Sequence, residues 1–250
     1  MNRHTVLLSF SVISASLLFT SCTKQDDEPA TPSTNTPSNT SPTLAPSFPG
    51  SAGVLWAVNT ITSQTIAGFP IEIETGVGLA LFPTEGSSTT YVDAGTVSLN
   101  DAALSRQTNN TYVSTPTQTA PTGIDFSSGQ THWTVSGGNG IPSIDQDPSF
   151  LFPSVGELTS STTVTRSNGY TLVATDISAC DSIAFAVGSV LKMKPSGTTS
   201  CTFTAAELSA IAAGPSIVQV SPYKYNMVTL AGKQFYFGKQ TSRSWGVTIQ

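Results

Sequence analysis

Ser182-Ile183-Ala184-Phe185-Ala186-Val187 and Trp245-Gly246-Val247-Thr248-Ile249-Gln250 each carry a large apolar residue at every second position. Successive side chains of a β-strand point to opposite faces, so Ile183, Phe185 and Val187 share one face, as do Trp245, Val247 and Ile249. Moving outward from these two stretches, short runs of the same kind recur at 161–165, 170–175, 198–203, 217–221, 227–230 and 234–237, broken by Gly, Pro, Asn and Ser. Strands at this spacing predict a sandwich of the immunoglobulin-like type rather than a helical fold. One helix is expected to interrupt them. Thr204-Ala205-Ala206-Glu207 reads as a capping box, Leu208, Ile211 and Ala212 form an apolar stripe, and Gly214-Pro215 supplies a stop.

The first half is β-rich as well, with candidate strands at 54–59, 69–74, 78–82, 89–92, 95–99, 112–114 and 133–136. Phe69-Pro70-Ile71-Glu72-Ile73-Glu74 alternates strictly, which separates Ile71 and Ile73 from the two carboxylates and assigns the glutamates to a solvent face. Gly137-Gly138-Asn139-Gly140 reads as a turn between two domains, because it lacks the Lys and following Ser or Thr of a phosphate-binding loop. The expected organisation is all-β: residues 1–21 a leader, 22–52 a Cys and Pro/Ser/Thr-rich linker, 53–136 a β-rich domain, and 137–250 an immunoglobulin-like β-sandwich.

With 250 residues, 10% charged, and a net charge of -5, the chain has the composition of one large or two small globular domains. Lys and Arg are too few to track a phosphate backbone, so nucleic acid is not an expected partner. Arg3 and His4, the apolar run from Val6 to Phe19, and the small residues Thr20 and Ser21 ahead of Cys22 read as an export signal. That run is shorter than the roughly 20 residues a membrane-spanning helix requires. Between Pro29 and Pro49 the chain is dominated by Pro, Ser, Thr and Asn, a composition that cannot bury enough apolar area to offset its ordering entropy. It reads as a tether.

Leu18-Phe19-Thr20-Ser21-Cys22 resembles the lipobox of bacterial lipoproteins, with Phe19 where Leu is usual, and Thr23-Lys24-Gln25-Asp26-Asp27-Glu28 is similar to the acidic surface-export signal of Bacteroidota-type lipoproteins. The Phe203-Thr-Ala-Ala-Glu-Leu208 segment with its following Gly-Pro resembles immunoglobulin-like domains at the C-termini of uncharacterised Bacteroidota-type lipoproteins, over about residues 135–250. The resemblance implies acyl chains such as palmitate on Cys22, an outer-membrane location facing outward, and the membrane itself as a partner through the anchor. It carries no assigned activity. Asp181-Ser182-Ile183 is similar to a three-residue O-glycosylation signal of such exported proteins, but a pattern this short recurs by chance and reads more plainly as the opening of a strand.

With Cys22 assigned to lipid, Cys180 and Cys201 remain, and an oxidising compartment could join them in a disulfide; two separate buried thiols are the alternative. No metal or cofactor is expected. Neither Cys lies in a CxxC pair, and the Asp145-Gln146-Asp147-Pro148 loop lacks the Gly and distal Glu of an EF-hand. His132, beside Trp133, is the one histidine beyond the signal and would have to serve any hydrolase, although neither GxSxG nor HExxH occurs. Glu72 with Glu74 and Asp145 with Asp147 are the paired carboxylates a glycosidase would need, each with a plainer reading as exposed charge. Tyr223, Tyr225 and Tyr236 are candidate sugar-stacking rings, Tyr236 foremost because alternation sets it opposite Phe235 and Phe237, whereas Trp56 and Trp133 suit a core. The expected function is non-catalytic binding, adhesion or scaffolding in the cell envelope, with an extracellular glycan or an envelope protein as partner. The alternatives are a glycan-binding accessory of polysaccharide uptake and a hydrolase built on His132.

Overall fold

The computed structural model describes Phe48 and residues 50–66, 69–87 and 89–250. Cys22 with its signal peptide, the acidic stretch after it and most of the Pro-rich linker lie outside the described residues. In chain order the elements are β1 (Gly53–Ile66), β2 (Phe69–Leu81), β3 (Val97–Leu99), β4 (Ala102–Ala103), β5 (Ser105–Arg106), β6 (Tyr112–Val113), β7 (Trp133–Val135), β8 (Ile144–Gln146) and β9 (Thr163–Val164). After a 3-10 turn at Arg166–Asn168 follow β10 (Tyr170–Val173), β11 (Ser182–Val187), β12 (Val190–Pro195), β13 (Ser200–Phe203), α1 (Ala205–Leu208), β14 (Gly214–Leu230) and β15 (Lys233–Ile249). The chain is all-β with sandwich-like layers, and α1 carries the expected capping box: Thr204 accepts from the Glu207 backbone while the Glu207 carboxylate accepts from the Thr204 N–H.

Nine strands form one sheet in the order β12-β11-β14-β15-β1-β2-β6-β5, with β9 paired to the end of β15. Its spine is the β14–β15 hairpin, 17 residues on each side. The two turn residues Ala231 (φ 48) and Gly232 (φ 77) both take the left-handed conformation, the type I′ geometry that matches strand twist. Register runs unshifted from Leu230↔Lys233 to Gly214↔Ile249 and is interrupted at Ser221 and Pro222, where proline has no N–H to give the ladder. β1 joins β15 in parallel, Gly53↔Phe235 through Ser63↔Trp245, and β2 folds back antiparallel on β1.

Two cores lie side by side on one face of this sheet. In the first, Leu55 and Ala57 of β1 and Phe235 and Phe237 of β15 meet Phe82 and the four-stranded sheet β4-β3-β7-β8, with Trp133 fully buried between them. In the second, Ile183, Phe185, Val218, Val220, Val247 and Ile249 meet Leu172, Cys201 and Phe203 of the two-stranded β10–β13 layer and Leu208 of α1. The expected domain boundary at 136/137 falls inside a hairpin, because β7 and β8 pair antiparallel with Val135 opposite Ile144. Residues as far as Phe152 pack on the first core and the second begins at Val155, while β14 and β15 serve both; residues from Thr40 to Gln250 form one compact unit.

Cys180 and Cys201 are both buried and both free, so the expected disulfide is absent. Cys201 sits opposite Leu172 in the β10–β13 layer, whereas Cys180 stands at the entrance to β11 with its Sγ 3.9 Å from Ser196 Oγ. The two thiols come from opposite layers and pack as small apolar side chains, and burial pushes the Cys201 thiol up. β12 is a strand the sequence did not announce: Lys192, Lys194 and Pro195 make it an edge strand.

Between the two cores the same sheet face turns polar. Lys239, 1% exposed, donates from Nζ to the carbonyls of Gly129 (3.0 Å), Pro148 (3.2 Å) and Phe150 (2.6 Å). Beside it, buried Arg243 pairs with Glu72 of β2 and with Glu157 at 2.7 Å, and its guanidinium lies 5.2 Å over the Trp245 ring.

Candidate functional site

Register fixes which side chains share the opposite face of the nine-stranded sheet. Trp56 lies opposite Gly238 and Leu79, so even-numbered residues of β1 and β15 and odd-numbered residues of β2 point away from both cores. The same pairing sends Tyr223, Tyr225 and Met227 of β14, Ala184 and Ala186 of β11, and Leu191 and Met193 of β12 to that outer face. Nine charged side chains belong to the strands of this sheet: Glu72, Glu74, Arg106, Lys192, Lys194, Lys224, Lys233, Lys239 and Arg243. Each of them sits at a core-facing register position, and none at an outward one.

The outward positions are instead aliphatic, aromatic, hydroxylic or amide. Among the described residues eight large apolar side chains are exposed, and seven of them, Ile71, Ile73, Leu79, Met193, Ile217, Tyr225 and Met227, share this face; Leu151 is the eighth. The alternation at 69–74 is therefore real, but both of its faces are exposed: Glu72 turns to the core side and meets Arg243 while its side chain stays half exposed, and Ile71 and Ile73 lie in water on the other face. A soluble surface normally intersperses charge among its apolar atoms, so a whole sheet face without any calls for an occupant.

An aromatic cluster occupies its centre. The Trp56 ring lies flat across Gly238, where a Cβ would fall 2.1 Å from ring carbons, and its Nε1 donates to Gln240 at 3.1 Å. Tyr223 packs on Trp56 at 5.7 Å, and Phe48 stacks on Tyr236 at 4.3 Å with 25° between the planes. The three expected sugar-stacking tyrosines are thus brought together, but not as one open platform. Tyr223 and Tyr225 are near-parallel (24°), yet Tyr223 is buried; Tyr225 and Tyr236 are tilted by 60°, and Phe48 covers one side of Tyr236. Sequence reasoning found these rings and missed the aliphatic side chains around them, because only strand register reveals that the chain gathers them on one face.

The other candidates separate cleanly. His132 Nδ1 donates to Asp147 at 2.8 Å and its Nε2 lies 3.8 Å from Asp145, so two carboxylates flank the ring and the Asp147 hydrogen bond raises its pKa. The described hydrogen bonds bring no Ser, Thr or Cys hydroxyl or thiol to that ring, and no described group of three His, Cys, Asp or Glu side chains is arranged to hold a metal. Glu72 and Glu74 point away from the apolar face and Glu72 is engaged by Arg243. An open cavity of about 400 Å3 between β3, β5 and β6 is lined by Asp93, Arg106 and Tyr112; these polar groups already bind one another, Tyr112 donating to Asp93 at 2.8 Å and Arg106 pairing with the same carboxylate. Hydrogen bonding from the Gly95 backbone and from Tyr112 holds Asp93 below the usual carboxylate range. No protein-family model matches the chain, and no curated protein is significantly similar to it.

Proposed function

We propose that this chain is a lipid-anchored, non-catalytic binding module of the cell envelope, held in the outer membrane through Cys22 and engaging its partner through the outer face of the large sheet. The observation that carries the reading is the segregation of every charged strand residue to the other side of that sheet. A face of exposed aliphatic side chains and hydroxyls, with no charge to be desolvated, is the composition of an interface core rather than of a free surface. The anchor rests on the lipobox-like segment and is tested separately. Wild-type chain in a lipoprotein-processing host should incorporate labelled palmitate and fractionate with membranes, and Cys22→Ala should do neither. The binding face is tested with Ile217→Asp/Met227→Asp, expected to lose retention on cell-envelope preparations that the wild type shows; equal retention would remove the face from the reading.

Glycan recognition is the second reading, favoured by Tyr225 and Tyr236 lying 5.9 Å apart on the outer face. It predicts saturable binding to a neutral polysaccharide that Tyr225→Ala/Tyr236→Ala abolishes. A polysaccharide panel without any such binding removes it.

A further inference from the structure

We propose that the occupant of the charge-free face is a second copy of this chain, the two sheets stacking face to face in a two-fold symmetric dimer. The inference rests on the reading of this face as the binding surface and adds the identity of what binds. Size is the first argument. Four central strands, each about 4.8 Å wide, run together for the 11 paired residues of β1 and β15 at about 3.3 Å per residue, and β11 and β12 extend the sheet sideways. The face spans about 900 Å2, counting the central positions of Trp56, Ser221, Tyr223 and Ser242 that are already buried within the chain, a span on the scale of the roughly 800 Å2 per partner of a stable interface.

Chemistry is the second argument. Ile71, Ile73, Met193, Ile217 and Met227 offer no ring face to a sugar, but they interdigitate as the inner faces of any β-sandwich do, at about 10 Å between sheets. Charge is the third. The chain carries a net -5, so two copies repel wherever their acidic groups approach, and the outer face is where they meet without bringing any together. A two-fold interface sets the same patch against itself, which a charge-free patch permits without like-charge conflict. Lateral assembly is opposed at the β12 edge by Lys192, Lys194 and Pro195. An anionic lipid surface would instead call for Lys or Arg on this face, and there are none.

Sedimentation of the chain from Thr23 onward, which keeps the whole compact unit from Thr40 to Gln250, tests the proposal. At micromolar concentration it should run at twice the chain mass. Ile217→Asp/Met227→Asp should weaken association at least tenfold while circular dichroism stays at the wild-type value, since both side chains are exposed. Leu151→Asp, at the exposed apolar residue off this face, should leave the dimer intact. A wild-type monomer throughout the range, or a dimer insensitive to the double substitution, overturns the proposal. If that monomer still binds envelope preparations or phosphatidylcholine vesicles through Ile217 and Met227, the binding face stands and the second copy falls.

Discussion

Lys239 shows how much of this structure turns on single side chains. Its ammonium is enclosed between the two cores, all three donors are met by loop carbonyls, and Phe150 and Phe152 lie 5.2 and 5.4 Å away. Lys239→Met removes those bonds and leaves three buried carbonyls without their donor, at about 3 kcal/mol in a urea-unfolding measurement. Burial also pushes Lys239 down to about 8 from its ordinary 10.5. Below pH 8 both folded and unfolded chains hold the proton; between about 8 and 10.5 the unfolded chain keeps a proton that the folded one has released, so this residue makes stability rise with pH across that window. Burial raises the Cys201 thiol and Tyr112, Tyr170 and Tyr223, which stay neutral in the fold while ionising in the unfolded chain, so the contribution of the thiol falls above pH 9 and that of the tyrosines above pH 10. Unfolding followed from pH 8 to 10 should therefore show the stability of the wild type rising relative to that of Lys239→Met; parallel curves would refute the assignment. Nothing around Lys239 in the sequence signals this role, since its acceptors come from residues 129, 148 and 150. Tyr236 was readable, because alternation between Phe235 and Phe237 fixes its face regardless of what lies beyond.

The elements were legible in proportion to how local their causes are. The start of α1 was readable because a capping box is closed within four positions, but its end was not: the helix stops at Leu208, and Gly214-Pro215, read as its stop, opens β14. Glu207 is held at about 2 by its Lys192 partner and by the Thr204 backbone, so its contribution to stability is present above the ordinary value of 4.5 and is lost as pH falls toward 2. Thr204→Ala should cost about 1 kcal/mol, and Glu207→Gln should flatten the wild-type loss of stability between pH 4.5 and 2; unchanged acid sensitivity would show that the box does not hold the helix. Strand continuity was not readable. Pro222 and the polar run about it divide β14 into two apparent strands, whereas the folded chain carries the strand through, Ser221 and Ser242 bonding side chain to side chain at 2.8 Å beside the interrupted ladder. The parallel pairing of β1 with β15 joins residues about 180 apart, and no local pattern encodes it. That pairing, more than any motif, creates the candidate face, because it carries the charge-free positions of β14 and β15 on into β1 and β2.

At the scale of the molecule, the two cores share their largest structural component. Phe235 and Phe237 of β15 complete the first core, and Val247 and Ile249 of the same strand complete the second. Lys239, Thr241 and Arg243 hold the span between, Thr241 by donating to the Pro153 carbonyl. An ordinary pair of tethered domains would melt independently. Here neither core can lose its sheet without unzipping a hairpin the other still needs, so the chain should unfold as one unit. Leu55→Ala in the first core and Phe185→Ala in the second are both fully buried deletions, each expected to cost about 2–5 kcal/mol. Followed in urea by amide exchange of β3 and β7, which reports on the first core, and of β10 and β13, which reports on the second, each substitution should move both signals to the same lower midpoint. A Phe185→Ala protein whose second core opens while β3 and β7 stay protected would show two independent units. In that case the β14–β15 hairpin would act as a linker between them, and the continuous face across both cores would lose its rigid support.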